Sequence, residues 1–408
     1  MMGIMPWKRV LPMEEKMAFI LAKKEGKQNF AALCRLYEIS RKTGYKWWAR
    51  YQKVGLEGLR ERTHRPHGCP HASAPVWTER IVALRLRHPS WKPKKLRMKL
   101  LKQYGQEGLP AASTLGQKLK ASGLVRARRR RDRRPVRPLD RLTVAQSANQ
   151  VWAVDFKGWF RTGDGQRCDP LTMSDLFSRY VLCCQVAVNQ GYEAVQPLFD
   201  RVFELHGLPE VIRVDNGCPF ASSAIGGLSR LSAWWVRLGI KPEFIAPGHP
   251  EQNGAHERMH RTLKAETTQP AARTAKAQQE RFEQWRRQFN EERPHEALGQ
   301  EVPASLYQLS QRRYSRALRP LAYPADYLVR RVRSNGQIRW QGTKRYVSEA
   351  LIDQLVGLRS REAGRLQVWL GNYLIGELHE GESGGLRPSV SVPQTRQHKQ
   401  KLLPMCPV

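Results

Sequence analysis

Apolar residues recur at helical spacing over the first 125 residues of the chain. Between residues 12 and 60 this spacing predicts three short helices, and a break at 37–39 is followed by Ser40, a favourable N-cap residue. Residues 77–125 repeat the pattern, and their last helical segment follows Pro110. The pattern therefore predicts two small helical modules in series.

The pattern changes after residue 149. The run VWAVDFKGWF alternates as a strand, two strand-like runs follow around a turn, and helices and strands then alternate until a long helix opens near Asn253. Short alternating runs between glycine turns at 318–380 predict a small antiparallel β barrel. A tail rich in Pro, Gln and Lys is expected to be disordered. The fold class that we predict is multidomain α/β.

These changes of pattern divide the chain into seven segments. They are a helix-turn-helix domain at 1–62, a linker at 63–76, a second helix-turn-helix-like domain at 77–125, an Arg-rich linker at 126–148, a mixed-sheet core at 149–310, a β barrel at 318–380 and a disordered tail at 383–408.

The charge of the chain favours a polyanionic partner. Its 408 residues include 70 Lys and Arg against 36 Asp and Glu, for a net charge of +34, and residues 1–149 alone hold 35 basic and 10 acidic residues. Nucleic acid is the commonest partner of such a field. Solubility or adhesion to a membrane surface is the alternative, and the size and asymmetry of the charge argue against it.

Two basic features are candidate DNA contacts. The second helix of a helix-turn-helix in the first module would offer Arg41, Lys42 and Lys46 to DNA while Trp47 packs inward. The alternative is a plain three-helix bundle with a solvated basic face. Eight arginines between residues 126 and 137 would follow phosphates or enter a minor groove, or else form a solvated linker. They include the run Arg128, Arg129, Arg130 and Arg131.

The chain has the features of a cytoplasmic protein. Its seven cysteines are scattered and form no CxxC pair, which is typical of a reducing compartment. No run of 18 apolar residues and no signal-peptide core occur. We therefore expect action in the cytoplasm at the chromosome, with no membrane partner.

Three carboxylates are candidates for catalysis. Asp155 lies within an apolar strand, Asp215 ends the strand EVIRV before an Asn-Gly turn, and Glu257 lies early in a helix. An isolated Asp in a strand is more often structural. Three carboxylates from two strands and a helix can converge at one end of a sheet, where they repel one another unless cations fill the site. Two Mg²⁺ ions held there would serve phosphoryl transfer.

The sequence around these carboxylates resembles a known family. WAVDF, VDNG and HPEQNGAHERMHRTLK are similar to the three acidic motifs of the integrase catalytic core, over about residues 149–310. Retroviral integrases and bacterial insertion-sequence transposases share this core, which has a ribonuclease-H-like fold. The paired helical modules and the β-rich C-terminal segment look more like the transposases, and the zinc module of the retroviral enzymes is not found.

The resemblance implies a DDE transposase. Such a protein binds the terminal inverted repeats of a mobile element and joins the element to target DNA, as a homo-oligomer on DNA. Its three acids hold two Mg²⁺ (or Mn²⁺) ions. For a bacterial protein the expected location is the cytoplasm, in association with the nucleoid.

The third acid is assigned through its motif. Glu257 matches the Pro-x-x-x-Gly-x-x-Glu frame, and Arg261 and Lys264 match the basic residues that follow it on one helix face. Asp215 and Glu257 are separated by 41 residues, whereas about 35 are common in the family. Glu251 fits that count, with 35 intervening residues, but occupies a loop position that normally holds Gln. We therefore choose Glu257.

Other functions use the same features. A phage- or retroelement-type integrase would perform the same chemistry on other DNA ends. A non-enzymatic DNA-binding regulator would use the core as a scaffold, and three intact acids argue against it. A generic metal nuclease would not need two DNA-reading modules.

Overall fold

The computed structural model describes residues 12–61, 73–125, 142–318, 320–361, 364–382 and 384–389. Two compact units make up the chain, residues 1–72 and 73–408. Arg128, Arg129, Arg130 and Arg131 lie outside the described residues. So do most of the first linker and the tail beyond residue 389.

The first unit contains the three predicted helices, α1 (Pro12–Glu25), α2 (Phe30–Leu36) and α3 (Arg41–Val54). Ser40 caps α3 as expected, because its side chain accepts a hydrogen bond of 3.1 Å from the backbone N–H of Thr43. Trp47 is buried with Phe19 and Leu33 in the core of this unit.

Helix α3 packs closely against α2 at Gly44. A Cβ atom at this position would lie 2.7 Å from the Sγ atom of Cys34. The absence of a side chain at Gly44 therefore permits the close approach of the two helices. The opposite side of α3 is exposed.

The second unit begins with another three-helix module. Helices α4 (Val76–Arg87), α5 (Pro93–Tyr104) and α6 (Ala112–Ala121) enclose a core that includes Trp91 and Leu115. This agrees with the helical spacing of residues 77–125.

A mixed sheet forms the centre of the second unit. Its strands are β1 (Val151–Phe156), β2 (Phe160–Arg161), β3 (Arg167–Asp175), β4 (Val181–Ala187), β5 (Val211–Val214) and β6 (Lys241–Phe244). The order is β2-β3-β1-β5-β6, and β4 also pairs with β3. Strands β1, β5 and β6 are parallel, while β3 is antiparallel to β1, β2 and β4.

Helices cover both faces of this sheet. They are α7 (Tyr192–His206), α8 (Arg230–Arg237), α9 (Gly254–Thr267) and α10 (Ala275–Glu291). One core joins Trp152, Phe199 and Trp235, and a second joins Leu263 and Phe282 to the other face. Residues 151–154 are fully buried because β1 is central and covered on both sides. No helix in the described ranges is long and apolar enough to cross a bilayer.

The C-terminal strands are antiparallel, as predicted, but their closure into a barrel is not confirmed. They are β7 (Leu328–Arg331), β8 (Gln337–Trp340), β9 (Thr343–Tyr346), β10 (Leu355–Arg361), β11 (Arg365–Leu370) and β12 (Tyr373–His379). In the described residues they form a sheet in the order β12-β11-β10-β7 and a separate β8-β9 hairpin. The hydrophobic core of this sheet is shared with α8, through Ala233 and Val236.

Helix α5 docks on the central core through its basic side. Its lysines form ion pairs of 3.1–3.2 Å with acids of the segment after α10, in the pairs Lys94–Glu296, Lys99–Glu292 and Lys102–Glu301. The loop before α5 adds Ser90, whose hydroxyl donates to Glu266 of α9. These lysines therefore contact the core as well as solvent.

Candidate active site

Asp155 lies at the carboxyl end of the central strand. Its backbone pairs with Thr172 of β3, and on the other side β1 runs parallel to β5 with Ala153 opposite Arg213. The side chain of Asp155 is 26% exposed, so that one edge of this carboxylate faces solvent while its backbone belongs to the buried sheet.

Asp215 lies level with Asp155. The β1–β5 register places each residue of β1 opposite the residue sixty positions later, and Asp215 follows the last residue of β5. Neighbouring strands are about 4.8 Å apart, which makes the two aspartates close neighbours at one sheet edge. The turn after β5 is fixed, because the Gly217 N–H donates to Oδ1 of Asp215 at 3.0 Å and Asn216 donates to the Ile245 carbonyl at 2.6 Å.

Glu257 is in the first turn of α9 and is exposed. Arg261 and Lys264 are also exposed, whereas the opposite side of the helix is buried. These three residues therefore share the solvent-facing side of α9, as their i, i+4, i+7 spacing suggests. Glu251 instead lies in a 3₁₀ turn, with its Oε1 2.8 Å from Nδ1 of His249.

The three acids share one electrostatic neighbourhood. Burial, then the negative charge of Asp215 and, to a smaller extent, that of Glu257 raise the pKa of Asp155 to about 7. A backbone hydrogen bond and Lys157 act in the opposite direction. The pKa of Lys157 is lowered by burial and by the nearby charge of Lys264. Lys157, directly after β1, and Lys264 of α9 therefore lie near the acids.

The carboxyl groups do not form a closed ligand set. In the part of the chain that the structure describes, no three His, Cys, Asp or Glu side chains are close enough together to hold a metal ion. The convergence that we expected of all three carboxyl groups is thus incomplete: Asp155 and Asp215 lie level on neighbouring strands, and Glu257 is near enough to influence Asp155 electrostatically.

A buried network behind Asp155 was not foreseen from the sequence. The Thr172 hydroxyl donates to the Asp155 carbonyl at 3.0 Å and contacts Nε2 of His256 at 2.8 Å and Nε2 of His260 at 2.6 Å. Nδ1 of His256 contacts Ser174 Oγ at 2.7 Å, and Nδ1 of His260 is 3.7 Å from Oδ2 of Asp155. Burial lowers the pKa of His256 to about 3 and that of His260 to about 2.

One sequence signal pointed to this network. His256 and His260 are four residues apart, on the helix face that also carries the buried residues Met259 and Leu263. Buried histidines on such a face need polar partners. The sequence does not tell which partners they find, since Thr172 lies 84 and 88 residues away.

The candidate recognition helix exposes its basic residues. Arg41, Lys42 and Lys46 of α3 are exposed, and Trp47 beside them is buried. The ammonium group of Lys46 lies 5.2 Å from the centre of the Trp47 ring. This is the orientation that a recognition helix requires.

Comparison with known proteins identifies the class of this core. Residues 145–250 and 238–303 each match a family described as an integrase core domain. Residues 15–67 match a helix-turn-helix domain, and residues 43–119 match a homeodomain-like domain. The chain therefore carries an integrase core domain of ribonuclease-H-like fold behind helix-turn-helix domains.

Its relatives include proteins of bacterial insertion elements. A 39.2 kDa protein of insertion element IS476 from Xanthomonas euvesicatoria is 31% identical over 180 residues, which are 43% of this chain and 49% of that protein. A 31.7 kDa protein of insertion element IS407 from Burkholderia multivorans is 29% identical over 192 residues, 45% of this chain and 64% of that protein. The chain thus spans about half to two thirds of these relatives.

A retroviral catalytic core is among the solved structures that align with the chain. The catalytic core domain of HTLV-2 integrase in complex with magnesium aligns with 40% of this chain and 100% of that chain, at 15% identity. The TM-score is 0.33. The order of the central strands and the matches to the two integrase core families define the fold.

Proposed function

We propose that this chain is a DDE transposase of the insertion-sequence type, which cleaves DNA at the ends of a mobile element and joins them to target DNA. One observation carries the proposal: Asp155 and Asp215 lie level on adjacent parallel strands of an integrase core domain, with Glu257 within electrostatic reach. The residues that would catalyse the reaction are Asp155, Asp215 and Glu257.

The donor set fits a divalent cation. Carboxylate oxygens are the ligands that Mg²⁺ and Mn²⁺ prefer. Burial beside Asp215 holds the pKa of Asp155 near 7, so a cation is needed to keep both carboxylates charged at neutral pH. Bound there, two such ions would activate a water or 3′-hydroxyl and stabilise the leaving 3′-oxygen. Glu257, which is exposed and near, would complete the ligands as substrate binds.

The basic residues would hold the DNA. Arg261 and Lys264 project from the same side of α9 as Glu257, where they would contact phosphates next to the scissile bond. Arg41, Lys42 and Lys46 would enter the major groove of the terminal inverted repeat. The run from Arg128 to Arg131 would follow the backbone between these contacts.

The location and assembly follow from this activity. An insertion-sequence transposase brings two element ends together, so we propose that the chain acts as a homo-oligomer on DNA. We propose that it acts in the cytoplasm, in association with the nucleoid, and its similarity to proteins of bacterial insertion elements supports this proposal.

A cleavage and strand-transfer assay tests the proposal. The purified chain, with Mg²⁺ or Mn²⁺, is incubated with DNA that carries the ends flanking its own gene. We expect cleaved and joined products that disappear with EDTA. Asp155→Asn, Asp215→Asn and Glu257→Gln should each abolish the products and keep DNA binding, as measured by mobility shift.

Glu251→Gln is the matched control. Glu251 is close to Glu257 in sequence, but it contacts His249, so the variant should keep its activity. An inactive Glu251→Gln beside an active Glu257→Gln would show that the third acid has been misassigned. Binding of the ends by the wild type without any metal-dependent product would favour a DNA-binding regulator.

A further inference from the structure

Trp159 is exposed on a surface near the candidate active site. It precedes β2 and is 54% exposed, whereas Trp152 and Trp235 are fully buried. No other tryptophan within the described ranges is exposed. A single exposed aromatic residue is common and indicates nothing by itself, so its neighbours decide what it can do.

The backbone that carries Trp159 is held on both sides. The next residue, Phe160, points inward and packs edge-to-face on Phe282, with ring centres 6.3 Å apart. The tip of the hairpin is tied down by the Gly163 N–H, which donates to the Ala272 carbonyl at 2.9 Å. The indole ring thus projects from a strand whose backbone is already held in place. A ligand that stacks on the ring therefore loses little free energy to ordering of the backbone.

Two arginines flank the indole ring. Arg161 and Arg167 are exposed and directly opposite each other in the β2–β3 register. Their guanidinium carbons lie 5.9 Å and 5.2 Å from the centre of the Trp159 ring. Nε of Arg167 donates to Asp169 at 2.7 Å, which offsets part of the charge. Like charges directly opposite on paired strands repel, and an anion between them relieves the repulsion.

The position of this group relates it to the acids. Trp159 is four residues beyond Asp155, so at most about 14 Å of extended chain separates them. That distance equals the rise of about four stacked nucleotides. Lys157 lies between them in the sequence. A DNA strand with its phosphate at the acids would therefore meet Trp159 within a few nucleotides.

We propose that Trp159, together with Arg161 and Arg167, is a stacking platform for an unpaired base of the DNA strand that enters the active site. The platform rests on the proposed function, because DNA is the substrate there. The indole face would take the base, and the two guanidinium groups would take the phosphates on either side of it. Every base has a flat face, so the platform would favour unpaired over paired ends without reading their sequence.

Binding of forked and paired DNA ends by the full chain tests the platform. Both DNAs have the same sequence, the fork leaves the last three bases of one strand unpaired, and EDTA prevents cleavage. The unpaired strand carries 2-aminopurine, whose fluorescence is quenched when it stacks. We expect the wild type to favour the fork and to quench the probe. Trp159→Ala should lose the quenching and weaken binding to the fork about tenfold, while binding to the paired end should change less than about twofold.

Two further variants separate stacking from folding. Trp159→Phe keeps an aromatic face and should keep most of the quenching. Tyr346→Ala removes another exposed aromatic side chain from a β-strand, on β9. This variant should change neither the quenching nor the binding of forked or paired DNA. Equal binding of forked and paired ends by the wild type, or equal quenching by Trp159→Ala, would overturn the platform. The platform would also be overturned if Trp159→Ala kept the quenching and changed the oligomeric state. That result would assign the Trp159 ring to a contact between protein copies.

The outcome for the platform is separable from that for the proposed function. A wild type that cleaves element ends, with Trp159→Ala indistinguishable in binding and quenching, would refute the platform alone. A wild type that favours and quenches the fork, but produces no metal-dependent cleavage, would refute the transposase and leave the platform supported.

Discussion

Two histidines behind Asp155 share one hydroxyl group, and this determines where their protons lie. The Thr172 hydroxyl donates its hydrogen to the Asp155 carbonyl, so Nε2 of both His256 and His260 must donate to Thr172. Nδ1 of His260 then carries a lone pair and faces Oδ2 of Asp155 at 3.7 Å. In the absence of a cation, this arrangement favours the protonated form of Asp155.

Asp155→Asn should therefore stabilise the metal-free protein at alkaline pH. The pKa of Asp155 is about 7 in the fold, against an ordinary value of 3.8. Between these values the folded state keeps a proton that the unfolded state releases, so stability falls as the pH rises from about 4 to 7. Asn removes this penalty. We expect a gain on the order of 2 kcal/mol at pH 8 in EDTA, and a smaller one at pH 5.

Thermal unfolding at the two pH values measures this gain. Asp326→Asn is the control, because Asp326 is an exposed partner of Arg359 in the C-terminal region. Added Mg²⁺ should reverse the order, by stabilising the wild type and not Asp155→Asn. A variant that melts below the wild type at pH 8 in EDTA would contradict the account given for Asp155.

At the scale of elements, α5 uses its basic side to bind the core. Its three ion pairs with the segment after α10 are partly exposed, and each contributes at most about 1 kcal/mol. The loop that precedes α5 adds Ser90, which donates to Glu266, and Glu266 also accepts a partly buried hydrogen bond from Arg293. Helix α6 exposes a further cation, Lys120, and we expect α6 rather than α5 to contact DNA.

Reversing the charges of α5 should release this module. The triple substitution Lys94→Glu, Lys99→Glu and Lys102→Glu turns three attractive pairs into repulsive ones. We expect faster amide hydrogen exchange in α5 and in residues 292–301, about tenfold or more. Reversing the three acidic partners as well should restore protection. Lys120→Glu on α6 should leave exchange unchanged and weaken DNA binding, and the opposite pattern would refute this division of roles.

Local elements could be predicted from the sequence, and pairings between distant segments could not. Ser40 begins a helix through a contact with an adjacent turn, so its position was predicted correctly. The alternation at 318–380 identified strands correctly, but alternation does not specify which strands pair. The barrel that we predicted is for this reason not confirmed, and a sheet with a separate hairpin was found.

The same limit applies to the candidate site. The resemblance identified Asp155, Asp215 and Glu257, and the strand register brings the first two together. Helical spacing also placed Arg261 and Lys264 on the side of Glu257. The network through Thr172 and the docking of α5 depend on residues about 80 to 200 positions apart, for which a single sequence carries no signal.

For the whole molecule, the net charge of +34 predicts steeply salt-dependent DNA binding. Each phosphate neutralised by Lys or Arg releases a counterion. If six to ten phosphates are contacted, affinity for DNA should fall about 10³- to 10⁵-fold between 50 and 200 mM salt. A filter-binding titration with the full chain measures the slope. Asp155→Asn should show the same slope, and a shallow dependence would mean that few of the cations reach DNA.

Glu257 and Glu266 belong to the same helix, and this has a geometric consequence. Glu266, at the other end of α9, receives hydrogen bonds from Ser90, Trp285 and Arg293 and thereby anchors the second helical module. Glu266 lies nine positions after Glu257, which is about 13.5 Å along the helix axis. Each residue of an α-helix adds a rotation of about 100° about the helix axis. A one-residue insertion between them would rotate Glu257 away from the sheet edge while the contacts of Glu266 stayed in place. The length of α9 between the two acids therefore couples the orientation of Glu257 to the position of the second helical module.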